Sequence, residues 1–133
     1  MKLHFKYFFA FVLIQALSVH IFAANGDDIT VLIATKDRVD QIERVIRSVF
    51  DQSLKVRVVV LDDASNVNIQ ELLGEKFSGF SVKWIRSEHP SGVTGARNKL
   101  VDQSNGNIMV FLDDDAYFSD HYSLEKIRER LNR

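Results

Sequence analysis

Acidic side chains crowd three short stretches of this sequence: Asp37 within Thr35-Lys36-Asp37-Arg38, the pair Asp62-Asp63 ahead of Ala64-Ser65, and the triplet Asp113-Asp114-Asp115. Carboxylates held close together repel one another, and a cation that shares their oxygens relieves the repulsion. Any one cluster has an ordinary explanation, because Asp and Ser are common helix caps and turn formers. Three clusters on one edge of a fold are harder to assign to turns, since stacked acids cost stability unless something compensates. Whether they share an edge depends on the elements that carry them.

Each cluster follows an apolar run. Ile29–Ala34 reads as a continuous apolar strand of the kind covered on both faces, Val56–Leu61 as a second strand and Asn107–Leu112 as the strand ahead of the triplet. Between the first two, Val39, Ile42, Val45, Ile46, Val49 and Phe50 recur at spacings of three and four, which predicts a helix with Asp40, Glu43, Arg44 and Arg47 in solvent. A shorter helix is expected around Asn68–Phe77, and Ser81–Arg86 alternates as another strand. Ser91 or Thr94 caps a helix over Gly95–Gln103, and Ser119 caps a terminal one through Leu131. Strict alternation of strand and helix predicts a mostly parallel, doubly wound α/β sheet. Ligands of such sheets bind beyond the carboxyl ends of the strands, where all three acidic clusters fall.

The composition narrows the chemistry. With 133 residues, 46% hydrophobic and 26% charged, the chain suits one ordinary globular domain. Its 17 basic and 18 acidic residues are dispersed, so no field draws it to a polyanion and nucleic acid is not an expected partner. The absence of cysteine removes thiolate zinc sites, disulfides and cysteine nucleophiles, leaving oxygen-ligand chemistry with hard metals. His89 and His121 lack any paired ligand spacing.

The first 24 residues form a separate device. Lys2 and Lys6 precede an uncharged run from Tyr7 to Ala24 that fits either a secretory signal ending in small residues or an uncleaved membrane anchor. The lysines before it, set against Asp27 and Asp28 after it, favour a cytoplasmic amino terminus and an outward-facing domain over residues 25–133.

Other nucleotide folds fit poorly. The first strand is followed by no glycine-rich dinucleotide turn, and no phosphate-binding G-x-x-x-x-G-K loop is present. A phospho-accepting receiver domain would put its acidic pair after the first strand, whereas here the pair follows the second.

Four motifs, in order and spacing, resemble the family-two inverting glycosyltransferases, whose donor half has the GT-A fold. ITVLIATKDR is similar to the family's first strand and Pro-Thr-Tyr-Asn-Arg loop, and VVVLDDAS to its Val-Asp-Asp-Gly-Ser turn. GVTGARN is similar to its G-x-x-x-A-R-N segment, and VFLDDDA to its D-x-D strand end. Ala34 replaces the usual proline, Lys36 the usual aromatic residue and Ala64 a common glycine; no carboxylate is lost.

The resemblance implies a donor-binding domain for a nucleoside diphosphate sugar. Asp63, with Asp62 and Asp37, would read base and ribose; Thr35 would either donate to the nucleotide or merely end its strand, and Arg97 would either support the phosphates from the start of its helix or form a surface ion pair. A UDP-sugar is favoured, since the imide N–H of uracil suits a carboxylate acceptor. Asp113 and Asp115 would hold Mn²⁺ or Mg²⁺ against the diphosphate, Asp114 serving as a spacer. The acceptor, a glycan, lipid or protein, is not indicated. The family's general base lies in an acceptor-binding half well downstream of D-x-D, and Asp115 stands 18 residues before Arg133. Glu125 and Glu129 do not match that base, so no catalytic residue is assigned and the domain is expected to be incomplete. The alternative reading is a truncated, catalytically silent module that binds nucleotide sugars or a partner.

Overall fold

The computed structural model describes residues 28–133. The apolar amino-terminal run lies outside the described residues; among those described, no helix is long and apolar enough to cross a membrane. Among the described residues eight elements alternate: β1 (Ile29–Thr35), α1 (Val39–Phe50), β2 (Arg57–Asp62), α2 (Ile69–Leu73), β3 (Val82–Arg86), α3 (Gly92–Asp102), β4 (Ile108–Phe111) and α4 (Ser123–Leu131).

The strands form one parallel sheet in the order β3-β2-β1-β4. Side chains alternate across it, as the two-residue period of a strand requires. Ile29, Val31 and Ile33 of β1, with Val58 and Val60 of β2, face a core closed by Ile42, Val45, Ile46 and Val49 of α1, Ile69 and Leu73 of α2 and Leu124 of α4. Leu32 of β1 with Val59 and Leu61 of β2 face the opposite way, onto Ala96 and Leu100 of α3. The sheet is therefore covered on both faces, with α3 the one helix on its second face among the described residues. Each fully buried Ile, Leu or Val contributes roughly 1.5–3 kcal/mol relative to exposure, which is why the central strands read as unbroken apolar runs.

The topology sets where a ligand can enter. From β1 the chain steps outward to β2 and β3, then crosses back over the sheet through α3 to place β4 on the other side of β1. The strand order thus reverses between β1 and β4, and a crevice lies outside their carboxyl ends.

α2 starts where the sequence pattern places it, Asn68 accepting from the N–H groups of Gln70 and Glu71, but it ends at Leu73 with Gly74 as its C-cap. Two helix starts differ from the sequence pattern, and each difference is a tertiary contact. α3 begins at Gly92 rather than Gly95, and Ser91 does not cap it with its side chain. Instead the Ser91 and Gly92 N–H groups donate to Asp63, 28 and 29 residues earlier. α4 begins at Ser123 rather than near Ser119. Its entry is held by Gln52, whose side chain donates to the Asp120 carbonyl at 2.6 Å and accepts from the Leu124 N–H at 3.1 Å.

Candidate functional site

The loop after β1 turns sharply at Asp37, which adopts a left-handed conformation with φ +56°. The loop after β2 does the same at Ala64, φ +60°. The two turns are stitched together. The Asp37 N–H donates to Ser65 Oγ at 2.8 Å, the Asn66 N–H donates to Asp37 Oδ1 at 2.6 Å, and the Lys36 ammonium donates to the Ala64 carbonyl at 2.9 Å. The Asn66 amide bond, helped by the neighbouring ammonium, holds the Asp37 carboxyl below the usual aspartate range despite some desolvation.

Asp62 and Asp63 are adjacent, both almost fully buried, and do different things. The Asp62 carboxylate faces inward: it accepts from the Ser65 N–H at 2.8 Å, from the Ile69 N–H at 3.3 Å and from the Arg86 guanidinium. Arg86 also donates to the carbonyls of Val67 at 3.0 Å and Ser65 at 2.7 Å. Asp62 and Arg86 together fix the loop that carries Ala64 to Val67. Asp62 does not line the cleft described below, which departs from its expected role as a nucleotide ligand.

Asp63 faces the cleft and ties it to α3. It accepts from Ser91 Oγ at 2.6 Å, from the Ser91 N–H at 2.9 Å and from the Gly92 N–H at 3.0 Å. Burial by itself would raise its pKa. The bonds from the Ser91 hydroxyl, from the Ser91 and Gly92 amides and from Ser87 outweigh that effect, so the group is held below its ordinary value. Gly92 takes φ +68° to turn its amide toward Asp63, a conformation that glycine adopts without strain.

At the end of β4 the acidic triplet fans out. The Asp113 and Asp115 side chains are 71% and 65% exposed, whereas that of Asp114 is 14% exposed. Two arginines approach from opposite sides. Arg38 Nη1 donates to Asp114 Oδ1 at 2.9 Å and to Asp115 Oδ2 at 3.3 Å. Arg97 Nη2 donates to Asp113 Oδ1 at 3.4 Å while its guanidinium lies 5.7 Å from the centre of the Phe111 ring.

These groups enclose a cleft of about 600 Å³ at the crossing point of β1 and β4. Thr35, Asp37, Asp63, Arg97, Asp113 and Asp115, all picked out from the sequence, line it. So do Lys36, Arg38 and Asp114, which the sequence reading placed in the same clusters without a binding role. Val93, Ala96, Leu100 and Phe111 supply an apolar wall. Thr35 is 3% exposed and its hydroxyl has no hydrogen-bond partner, an arrangement that a ligand in the cleft would correct.

Among the described residues no three or more His, Cys, Asp or Glu side chains converge as a closed metal cage. Asp113 and Asp115 instead both line the cleft with exposed carboxylates. That suits Mg²⁺ or Mn²⁺, which are held by one or two carboxylates together with the phosphates of a substrate.

The model of the family described as "Glycosyl transferase family 2" matches residues 30–133. The amylovoran biosynthesis glycosyltransferase AmsB of Erwinia amylovora is 29% identical over 86 residues, covering 62% of this chain and 27% of that protein. The chain thus spans about a quarter of the length of this curated relative. S. aureus TarS 1-349, solved in complex with UDP-GlcNAc, superposes with a TM-score of 0.70 at 25% identity, covering 79% of this chain and 31% of the other. The mannosyltransferase PcManGT of Pyrobaculum calidifontis, solved with GDP-Man and Mn²⁺, gives a TM-score of 0.73 at 18% identity, covering 92% and 40%.

Proposed function

The chain belongs to glycosyl transferase family 2, and from that premise we propose that its cleft binds the nucleoside diphosphate sugar donor, a UDP-sugar, for metal-dependent transfer to an acceptor hydroxyl with inversion. The observation that carries this reading is the convergence of Thr35, Asp37, Asp63, Arg97, Asp113 and Asp115 on one cleft at the switch point of the sheet. The UDP-GlcNAc complex of TarS supports the choice of uridine, and the Mn²⁺ complex of PcManGT supports a divalent cation.

Each residue has a chemical task that its surroundings permit. Asp63 lines the cleft while accepting from Ser91 and Gly92, and the imide N–H of uracil is the ligand donor suited to that carboxylate. The Thr35 hydroxyl donates to the nucleotide from a buried position where water does not compete. Asp37 turns its exposed carboxylate toward ribose hydroxyls, and Arg97, midway along α3 rather than at its start, balances phosphate charge with its guanidinium. A divalent cation on Asp113 and Asp115 would neutralise the diphosphate and stabilise the charge on the leaving nucleoside diphosphate. The acceptor, whether glycan, lipid or protein, and the base that activates it are not assigned to residues of this chain. Residues 1–24 would carry the domain to or across a membrane.

Calorimetric titration of UDP in the presence and absence of Mn²⁺, against the wild type and Asp115→Ala, tests the proposal. Metal-dependent binding lost in Asp115→Ala supports it; a folded wild type that shows no metal-dependent binding of UDP overturns it. Hydrolysis of a UDP-sugar then separates a chain that turns donor over from one that only holds it.

A further inference from the structure

We propose that Arg38 is an exchangeable counter-ion of the acidic triplet: it neutralises Asp114 and Asp115 while the cleft is empty, yields Asp115 to the divalent cation, and then binds the donor's diphosphate. This rests on the donor-binding reading and assigns a residue that reading does not use.

Charge balance is the first argument. Five carboxylates against three cationic side chains, Lys36, Arg38 and Arg97, leave the cleft lining with a net charge of −2. One divalent cation neutralises that lining. The diphosphate of a sugar nucleotide then brings two further negative charges, for which displaced guanidinium groups are the available partners.

The manner in which Arg38 is held is the second. Its backbone is fixed at the start of α1, where its carbonyl accepts from the Ile42 N–H at 3.0 Å, and its side chain makes no helix-capping bond. The guanidinium is 48% exposed, and its only hydrogen bonds among the described residues run to Asp114 and Asp115 through a single nitrogen. The arm to Asp115 joins two exposed groups and is weak and easily traded, while the arm to Asp114 rests on the same single nitrogen. Arg86 shows the contrast: it bonds to a buried carboxylate and two carbonyls and is built into its loop. The anchored backbone and loosely held head of Arg38 allow the guanidinium to leave the acids while staying at the cleft.

Two titrations on the full chain test this: Mn²⁺ alone, followed by the loss of the free ion's paramagnetic resonance signal, and UDP at saturating Mn²⁺, followed calorimetrically. In Arg38→Gln the competitor is gone, so Mn²⁺ alone binds about three- to fivefold more tightly. UDP binds about tenfold more weakly, because a charge-assisted bond to phosphate is lost. Affinities moving in opposite directions support the exchange. Unchanged values, or values that fall together, overturn it. Lys36→Gln removes the same charge from the same cleft without touching the triplet; a rise in Mn²⁺ affinity equal to that of Arg38→Gln assigns the effect to the general field and also overturns the exchange. A wild type that binds neither probe would sink the donor-binding reading itself, whereas a wild type that binds both and a variant that behaves like it sinks only the role of Arg38.

Discussion

Replacing Asp63 with alanine removes the acceptor of three donors at once: the Ser91 hydroxyl and the backbone amides of Ser91 and Gly92. A hydrogen bond to a buried charged group contributes about 1.5–3 kcal/mol net. Tripling that figure would overcount, because Ser91 is only half-buried and Gly92 is exposed, so the freed donors reach water. The expected loss is about 2–3 kcal/mol, the cost of a strong helix cap plus part of one charged bond. A domain with about 5–15 kcal/mol of stability survives it. In urea the midpoint should fall by about 1–2 M at an unchanged slope. The effect also has a pH signature. The folded-state pKa of Asp63 is depressed, so its contribution is fully present above the unfolded-state value near pH 4 and is lost as pH falls through the lower folded-state value. The gap between wild type and Asp63→Ala should therefore be constant at neutral pH and close progressively below about pH 4. An Asp63→Ala midpoint equal to that of the wild type, or a gap that persists undiminished into strong acid, would refute the assignment of Asp63 as the anchor of α3.

Two further substitutions probe particular side chains. Thr35→Val keeps the shape of a buried residue whose hydroxyl has no partner; thermal unfolding should be unchanged or raised by up to about 1 kcal/mol, while UDP affinity with Mn²⁺ falls. A destabilised variant would contradict the first half, and unaltered UDP affinity would remove Thr35 from the binding site. Ala64→Gly relieves a left-handed residue at φ +60°. It should stabilise the protein by about 0.5–1 kcal/mol, read as a higher melting temperature, because the strain of a Cβ in that conformation exceeds the entropy cost of glycine. A lower melting temperature would show that the loop does not carry the strain.

Much of the frame was legible because its causes are local. β1 and β2 announce themselves as uninterrupted apolar runs, since a strand covered on both faces has no solvent side to spell in polar residues. α1 matched its expected bounds because one stripe of Val and Ile at three- and four-residue spacing packs on the sheet. Once strands and helices alternate, the direction of every strand follows, and with it the gathering of Thr35, Asp37, Asp63, Arg97, Asp113 and Asp115 at one edge.

What each carboxylate does there was not legible. Asp62 and Asp63 are neighbours of the same type in the same motif, yet the strand's alternation turns one toward Arg86 and the other toward α3 and the cleft. The start of α3 depends on an acceptor 29 residues earlier, and the acidic triplet on an arginine 76 residues away. Residue types and spacing determined that acids would meet at the carboxyl ends of β1, β2 and β4. Only the packing of the two faces decided which of them are bound within the protein and which remain free to face a ligand, because hydrogen-bond partners so distant in sequence are chosen by the sheet and helices that bring them together.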